Sequence, residues 1–384
     1  MKIVFPYLAQ THQIPHSLPI AAALASRPEF EVHIACSTAE QESLARRLAA
    51  LYPQARLQFD RLRVNPLSYF LHRLGGKGLP PKKRTLAANR DYFSQFAAAL
   101  VPERTSLRLR RLLPELRLIY TQHGPQGRGI TYAPDIAQFD YVLVHGSRCE
   151  QRMLAEGLIR PGHYHCGGYP KFDLLQRLGG SGPPALFAQA RPTVLYNPHF
   201  LPELSSWPGM GRQVLDYFAA SPDYNLIFAP HLRLFDHHRG RLPAELRRYQ
   251  GLPNIHLDTG SERSIDMSYV LAADLYLGDV SSQVAEFLVK PRPCLFLNAH
   301  GVAWQDSPDY LFWHLGPVLD QVSGLDAGLK LARARHGDWL ARQQTYFQEC
   351  FGVDASETGY RAAAAAVAGA AEAIARFLLE PRST

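Results

Sequence analysis

The chain has little of what would mark several common protein classes. Only five of its 384 residues are cysteines, and Cys36, Cys149, Cys166, Cys294 and Cys350 are scattered without a CxxC pair. That argues against a disulfide framework or a zinc site and reads as reduced cytoplasmic thiols. No run approaches the roughly 18 apolar residues that a membrane helix needs. The start, Met1 to Leu8, is a buried-strand pattern whose apolar stretch ends at Pro6. It lacks the apolar core and small-residue cleavage site of a signal peptide. No GxGxxG fingerprint is present, so nothing supports a nicotinamide cofactor. Zinc fingers, RNA-binding signatures and basic-aromatic alternation are missing too, so no nucleic acid partner is expected.

What is present is ordinary globular material, 46% hydrophobic and 20% charged, long enough for two domains. The net charge of +7 is unevenly placed. Lys77, Lys82, Lys83 and Arg84 form one cluster, and Arg104, Arg108, Arg110, Arg111 and Arg117 another. Basic faces attract phosphates or anionic lipid heads. For the second cluster a solvated helix face is the simpler account. The segment 62–92 contains Pro66 to Leu74, apolar and aromatic, directly before the first cluster. It reads either as a surface that docks on an anionic membrane or as a helix packed on the sheet followed by a solvated loop.

Strands alternate with helices along the whole chain, which implies mostly parallel sheets with right-handed crossovers. Strands are expected at Ile3 to Tyr7, Phe30 to Ala35, Arg117 to Thr121, Tyr141 to His145 and His163 to Cys166. Ser37 with Glu40 reads as a capping box opening a helix that runs to about Leu51. A Gly/Pro-rich stretch from Leu178 to Pro184 marks a linker. The pattern then restarts, with strands at Thr193 to Tyr196, Asn225 to Ala229, Ile255 to Leu257, Leu275 to Leu277 and Cys294 to Leu297. The expected division is an N-terminal domain 1–178, a linker 179–192, a second domain 193–357 and a C-terminal helix 358–384 that either closes the second domain or crosses back to the first. The fold class is therefore α/β, two doubly wound Rossmann-like domains facing a central cleft, where ligands meet the carboxyl ends of the strands.

Several strand ends carry chemistry. Asp279, Ser281 and Ser282 sit where a helix starts, offering hydroxyls and free N–H groups suited to a phosphate, although an ordinary capped turn explains them equally well. Glu286 lies one helical turn further, within reach of whatever the phosphate carries. Thr121 to Gly129 places His123, Gly124 and Arg128 at another strand end, giving a neutral-pH base and a phosphate partner. His231 and Arg233 suit a developing negative charge on a leaving group. Asp236, His237 and His238 look like metal ligands, but consecutive residues rarely converge on one ion, and no metal is expected. His12, Gln13 and His16 crowd the first βα loop as candidates for acceptor binding, and His199 is a further one that either lines the cleft or simply caps its loop.

Taken in order, these blocks resemble the CDP-glycerol glycerophosphotransferase family, which builds teichoic-acid-type polyol phosphate polymers. The matching residues are His123-Gly124, Gly168 to Asp173, Tyr196 to Phe200, His231 with Arg233, and Gly278 to Ser282 followed by Glu286 and Lys290-Pro291. The resemblance covers roughly residues 115 to 320; the first 110 residues match only at the level of fold. It implies a metal-independent transferase with the GT-B architecture. His123 would deprotonate the acceptor hydroxyl, and His231 with Arg233 would stabilise the CDP leaving group. Ser281 and Ser282 would hold the donor phosphates, and Glu286 a sugar or polyol hydroxyl. Val280, Glu286 and His199-Phe200 depart from the family pattern and leave the transferred group open. The substrate is expected to be a nucleotide-linked donor, CDP above all, with no cofactor. The acceptor would be a lipid-linked or polymeric hydroxyl at the inner face of the plasma membrane. The competing readings are a GT-B enzyme using a nucleotide sugar for capsule or lipopolysaccharide synthesis, a UDP-sugar 2-epimerase, and a non-catalytic nucleotide or phosphopolymer binder.

Overall fold

The computed structural model describes residues 1–74, 78–124, 132–178, 185–235, 238 and 241–381. Two parallel sheets form, each flanked by helices. The first contains β1 (Lys2–Tyr7), β2 (Glu31–Cys36), β3 (Leu57–Arg61), β4 (Ala98–Val101), β5 (Arg117–Tyr120), β6 (Tyr141–Val144) and β7 (Tyr164–Cys166), in the order β3-β2-β1-β4-β5-β6-β7. The second contains β8 (Thr193–Asn197), β9 (Asn225–Phe228), β10 (Ile255–Leu257), β11 (Leu275–Gly278), β12 (Cys294–Leu297) and β13 (Val318–Leu319), in the order β10-β9-β8-β11-β12-β13. Each sheet winds outward from its first strand and then reverses, between β1 and β4 in one and between β8 and β11 in the other. This is the expected doubly wound α/β architecture.

The central strands read as apolar runs because helices cover both faces of each sheet. All four residues of β4, Ala-Ala-Leu-Val, are buried. No strand was expected there: an alanine-rich run carries a helix-like signal, and only its place between β1 and β5 makes it extended. The edge strand β3 and the two-residue β13 are too short or too mixed to announce themselves.

The first capping box lies one residue later than expected. Thr38, not Ser37, is the cap of the helix Ala39–Ala49, with Gln41 rather than Glu40 as its partner. Gln41 wins because it is wholly buried: its carbonyl oxygen accepts from the Ser37 and Thr38 N–H groups while its amide donates to the Ala9 carbonyl. A glutamate could accept in the same way but has no amide to donate. The 104–117 arginines are also less free than a solvated face implies. Arg104 and Arg110 pair with Asp135 and Asp140, each at 2.6 Å, and Arg117 donates to the carbonyls of Phe377, Leu378 and Glu380.

Those carbonyls end the helix Glu357–Leu379, which packs on the helices Leu18–Ala25 and Pro170–Arg177. Its Val367, Ala370, Ile374 and Leu378 join the core of the first sheet. The window Arg361–Leu379, with mean hydropathy 1.6, is long and apolar enough by composition to cross a membrane, which corrects the expectation that no segment approaches that limit. Half of it is buried inside the fold. The expected linker residues 179–184 lie outside the described residues.

Gly168 shows how closely this helix approaches. Its φ is +80°, and a Cβ there would stand 2.9 Å from the Ala366 carbonyl oxygen of the crossing helix. Gly168→Ala is expected to lower stability by at least ~1–2 kcal/mol from the left-handed backbone alone, with further loss from the backbone clash. Thermal unfolding of the variant beside wild type checks this; an unchanged midpoint would refute the close approach.

Candidate active site

The carboxyl ends of both sheets open onto one cleft, with the two switch points opposite each other. A cavity of about 500 Å³ lies there. The loop after β1 contributes His12 and His16, β5 contributes His123 and Gly124, β8 contributes His199 and Phe200, β9 contributes His231 and Arg233, and β11 contributes Ser281 and Ser282. Residues far apart in sequence thus line one cavity because the strands within each sheet are parallel and the carboxyl ends of both sheets face the cleft.

The turn after β5 is held in an uncommon shape. Gln122 has φ +58° and Gly124 φ +81°, successive kinks around His123. A non-glycine residue in the left-handed region stores strain, and such residues gather at functional sites. The kinks bring Gly124 close to the other domain, where a Cβ on it would lie 3.8 Å from the Ser282 hydroxyl.

Hydrogen bonds fix opposite proton placements on the two principal histidines. His123 Nδ1 is 2.5 Å from the Pro102 carbonyl, an atom that only accepts, so Nδ1 carries the proton and Nε2 keeps its lone pair. The Gln13 amide donates to that Nε2 at 3.3 Å. At His231 the arrangement inverts: the Arg233 backbone N–H donates to Nδ1 at 3.2 Å, so the neutral ring holds its proton on Nε2. His199 follows His231, with Leu201 N–H donating to its Nδ1 at 3.2 Å. His12 stands between the pair, its ring centre 6.0 Å from that of His123 and 5.9 Å from that of His231. His16 accepts from the Gly124 N–H at 3.3 Å and so braces the His-Gly turn.

The cleft favours neutral imidazoles. His12, His16, His123 and His231 all titrate below the ordinary imidazole value, with burial the largest cause in each case. His231 is held down to about 3, helped by His199, Arg233 and His123. The buried His145 outside the cavity is lowered to about 4 by burial.

Two assigned roles look different in place. Asp279 is 1% exposed and does not line the cavity. Its carboxylate accepts from the N–H groups of His199, Ser206 and Val280 and from the Ser206 hydroxyl. It ties the β11 turn to the loop after β8, and burial raises its pKa to about 6 despite those donors. Glu286 lines the cavity but is already engaged. It accepts from Tyr169 at 2.6 Å and Lys171 at 2.7 Å, both from the first domain's half of the cleft. The helix after Ser282 is only Gln283–Phe287, and Ser282 makes no side-chain cap bond. Arg128 lies outside the described residues, as do Asp236 and His237.

Sequence reasoning passed over Lys171, Arg104 and Phe200 as cavity residues. Phe200 packs between the Arg233 guanidinium, 4.1 Å from its ring centre, and the His231 ring at 4.5 Å. The His199-Phe200 departure from the family pattern therefore supports the β9 pair. Lys171 sits inside the Gly168 to Asp173 block, and its place in that block directly after β7 was the available signal. Among the described lining residues Glu286 is the only acid, set against Arg104, Lys171 and Arg233.

No family model and no curated protein sequence matches the chain. Solved structures do. The wall teichoic acid polymerase TagF, alone or after a CDPG soak, superposes with TM-score 0.66 at 14% identity, over 99% of this chain and 90% of that one. A putative UDP-N-acetylglucosamine 2-epimerase from Listeria monocytogenes gives TM-score 0.60 at 16% identity, covering 100% and 98%. The UDP-GlcNAc 2-epimerase from Neisseria meningitidis, bound to UDP-GlcNAc, gives 0.57 at 11%, covering 99% and 100%. At these identities the likeness is one of fold: the chain is a two-domain GT-B-type α/β protein.

Removing one partner of the buried Lys171–Glu286 pair leaves the other charge uncompensated. Lys171→Met is expected to cost ~3–5 kcal/mol of stability, with much of it regained in Lys171→Met/Glu286→Gln. Chemical denaturation of the singles and the double measures the coupling; simple additivity would contradict it.

The histidine shifts set a pH dependence. Histidines kept neutral in the fold but protonating near pH 6.5 when unfolded make the unfolded state bind more protons, so stability falls as pH drops below about 6.5 toward the folded values. Asp279 opposes this below about pH 6, but it is one group against His12, His16, His145 and His231. The thermal midpoint should fall from pH 7.5 to pH 5.5, and less steeply in His231→Gln. A midpoint flat or rising toward pH 5.5 would contradict the desolvated cleft.

Proposed function

We propose that the protein transfers a glycerol phosphate, or a related polyol phosphate, from a CDP-linked donor to a hydroxyl of a lipid-linked or polymeric cell-envelope acceptor. The observation that carries this reading is the pair of opposed imidazoles. His123 presents an Nε2 lone pair, met here by the Gln13 amide at 3.3 Å and open to a hydroxyl that takes the amide's place, and His231 presents an Nε2–H, across one cleft. A hydroxyl at His123 Nε2 loses its proton as its oxygen attacks phosphorus. His231 Nε2–H and Arg233 meet the negative charge that builds on the departing phosphate.

Atom balance fixes what departs. Moving a glycerol phosphate keeps the glycerol-bearing phosphorus with its new oxygen and breaks the bridging P–O bond. The bridging oxygen leaves with the bond's electrons as CMP, so the expected CDP leaving group is corrected to CMP. CDP would leave only if the polyol or a sugar alone were transferred.

Ser282 stands beside Gly124, with Ser281 next to it in the cavity wall, where the phosphates would lie, and Gln13 and His12 flank the base where the acceptor would lie. Arg233 suits a diphosphate, with Arg104, paired with Asp135, and Lys171, paired with Glu286, also in the cavity wall. Epimerisation would need a base to break a C–H bond, and Glu286, the one carboxylate among the described lining residues, is bound to Lys171 and Tyr169. TagF as a structural neighbour agrees with the transferase reading, while the epimerase neighbours keep the second reading in the test.

Thermal shift with CMP, CDP, CDP-glycerol, UDP and GDP separates the two. A ligand at a hundredfold its dissociation constant adds about 2.7 kcal/mol to the folded state. Cytidine ligands should raise the midpoint of wild type and lose most of that effect in Ser281→Ala/Ser282→Ala. His123→Ala should keep the nucleotide shift while losing about 10²–10⁴-fold in turnover. Preference for UDP would overturn the donor assignment in favour of a sugar nucleotide. Unchanged turnover in His123→Ala would remove the base.

A further inference from the structure

The helix Pro66–Leu74 has no buried residue. It is therefore not a helix packed on the sheet. Leu67, Phe70, Leu71 and Leu74 are 67%, 58%, 56% and 67% exposed. Their spacing of i, i+3, i+4 and i+7 places them on one face. Of the ten large apolar residues exposed among the described ones, these four fall on one helix and the others are scattered.

The opposite side is anchored. Asn65 accepts from the Ser68 N–H at 2.9 Å, Tyr69 donates to the Gly78 carbonyl at 3.0 Å, His72 Nδ1 donates to the Leu79 carbonyl at 2.7 Å, and Arg84 donates to Ser68 at 3.0 Å. Tyr69 and Arg73 line a cavity of about 850 Å³ between the two halves, shared with Thr11, Asp258 and Ser261. One helix thus shows an apolar face to solvent and a polar face to the cleft.

The chain segment on either side of the helix carries one sign of charge. The described residues within 62–89 include Arg63, Arg73, Lys82, Lys83 and Arg84 and no aspartate or glutamate. Arg63, Arg73, Lys83 and Arg84 are exposed.

We propose that this helix is an interfacial anchor that lies in an anionic lipid bilayer, with its apolar face among the acyl chains and its basic neighbours on the headgroups. An apolar stripe with basic flanks and no acid is what such a surface selects. A second copy of the chain fits poorly, because pairing these helices face to face would bring two basic rims together. A helix lying outermost on the molecule also offers no groove for a partner peptide. The anchor sets the cleft mouth at the membrane, so a lipid-linked acceptor reaches His123 without leaving the bilayer. That last step rests on the transferase reading; the lipid binding does not.

The test is co-sedimentation of the full chain with phosphatidylcholine vesicles, with and without phosphatidylglycerol, at low and high salt. Wild type should pellet with the anionic vesicles and be released by salt. Leu67→Ser/Phe70→Ser/Leu71→Ser/Leu74→Ser should lose at least about tenfold in partitioning, given the apolar area withdrawn. Lys83→Glu/Arg84→Glu should lose more than about fivefold per charge site, and only on anionic vesicles. All three proteins should keep the same nucleotide-free thermal midpoint, which rules out misfolding. Failure of wild type to pellet with anionic vesicles, or wild-type binding by the serine variant, overturns the proposal. So does concentration-dependent dimerisation of wild type that the serine variant lacks. Because nucleotide shifts are read on the same samples, a lost donor response with intact vesicle binding would fault the transferase reading and leave the anchor standing.

Discussion

A buried lysine–glutamate pair fixes where the two halves of this molecule meet. Lys171 and Glu286 side chains are 8% and 5% exposed and stand 2.7 Å apart, with Tyr169 completing the carboxylate's partners. Two charges withdrawn from water hold together only in good geometry, because separating them without rehydration costs several kcal/mol. The pair therefore selects one relative placement of the first domain's Gly168 to Asp173 block and the second domain's serine turn. That placement sets Ser282 against Gly124. The helix Glu357–Leu379 secures the same arrangement from behind, since it begins after the second sheet and ends in the core of the first.

With the halves fixed, the cleft's chemistry follows from desolvation. Imidazoles in a low-dielectric cavity beside Arg233, Lys171 and one another stay neutral, because a further positive charge there would be repelled and poorly hydrated. A neutral imidazole is either a base or a donor at its free nitrogen, and the backbone chooses which. Pro102 supplies an acceptor to His123, and Arg233 supplies a donor to His231. Two residues of one type acquire opposite roles through one carbonyl and one N–H. Arg104, Lys171 and Arg233 outnumber Glu286, the one acid among the described lining residues, so the cavity wall carries net positive charge.

Much of this was legible in the sequence because it is local. Alternating apolar strands and helices gave the fold class, and residues placed directly after apolar strands had to fall at the carboxyl ends. His123, His231, Ser281 and Ser282 could be placed on that basis alone. What could not be read was who partners whom across domains. Glu286 looks like a ligand-binding acid until Lys171 and Tyr169, more than a hundred residues earlier, are brought against it. Asp279 looks like a phosphate-loop acid until three backbone N–H groups close around it. The β4 strand was lost for the same reason, since its extended form is imposed by its neighbours and not by its own residues.

The commitment of Glu286 also bears on which chemistry the fold carries. The GT-B-type architecture is shared by a teichoic acid polymerase and by 2-epimerases, so the architecture cannot choose between them. The difference must come from the groups left free to act. Breaking a C–H bond calls for a base strong enough to take a proton from carbon, and a carboxylate already bound by an ammonium and a phenol is a poor one. Phosphoryl transfer asks less of the base and more of fixed positive charge, because a loose transition state leaves charge on phosphate oxygens. Among the described lining residues Lys171 and Glu286 offset each other and Arg104 is paired with Asp135, so Arg233 beside neutral imidazoles is the fixed charge left to meet the second demand under the proposed reading.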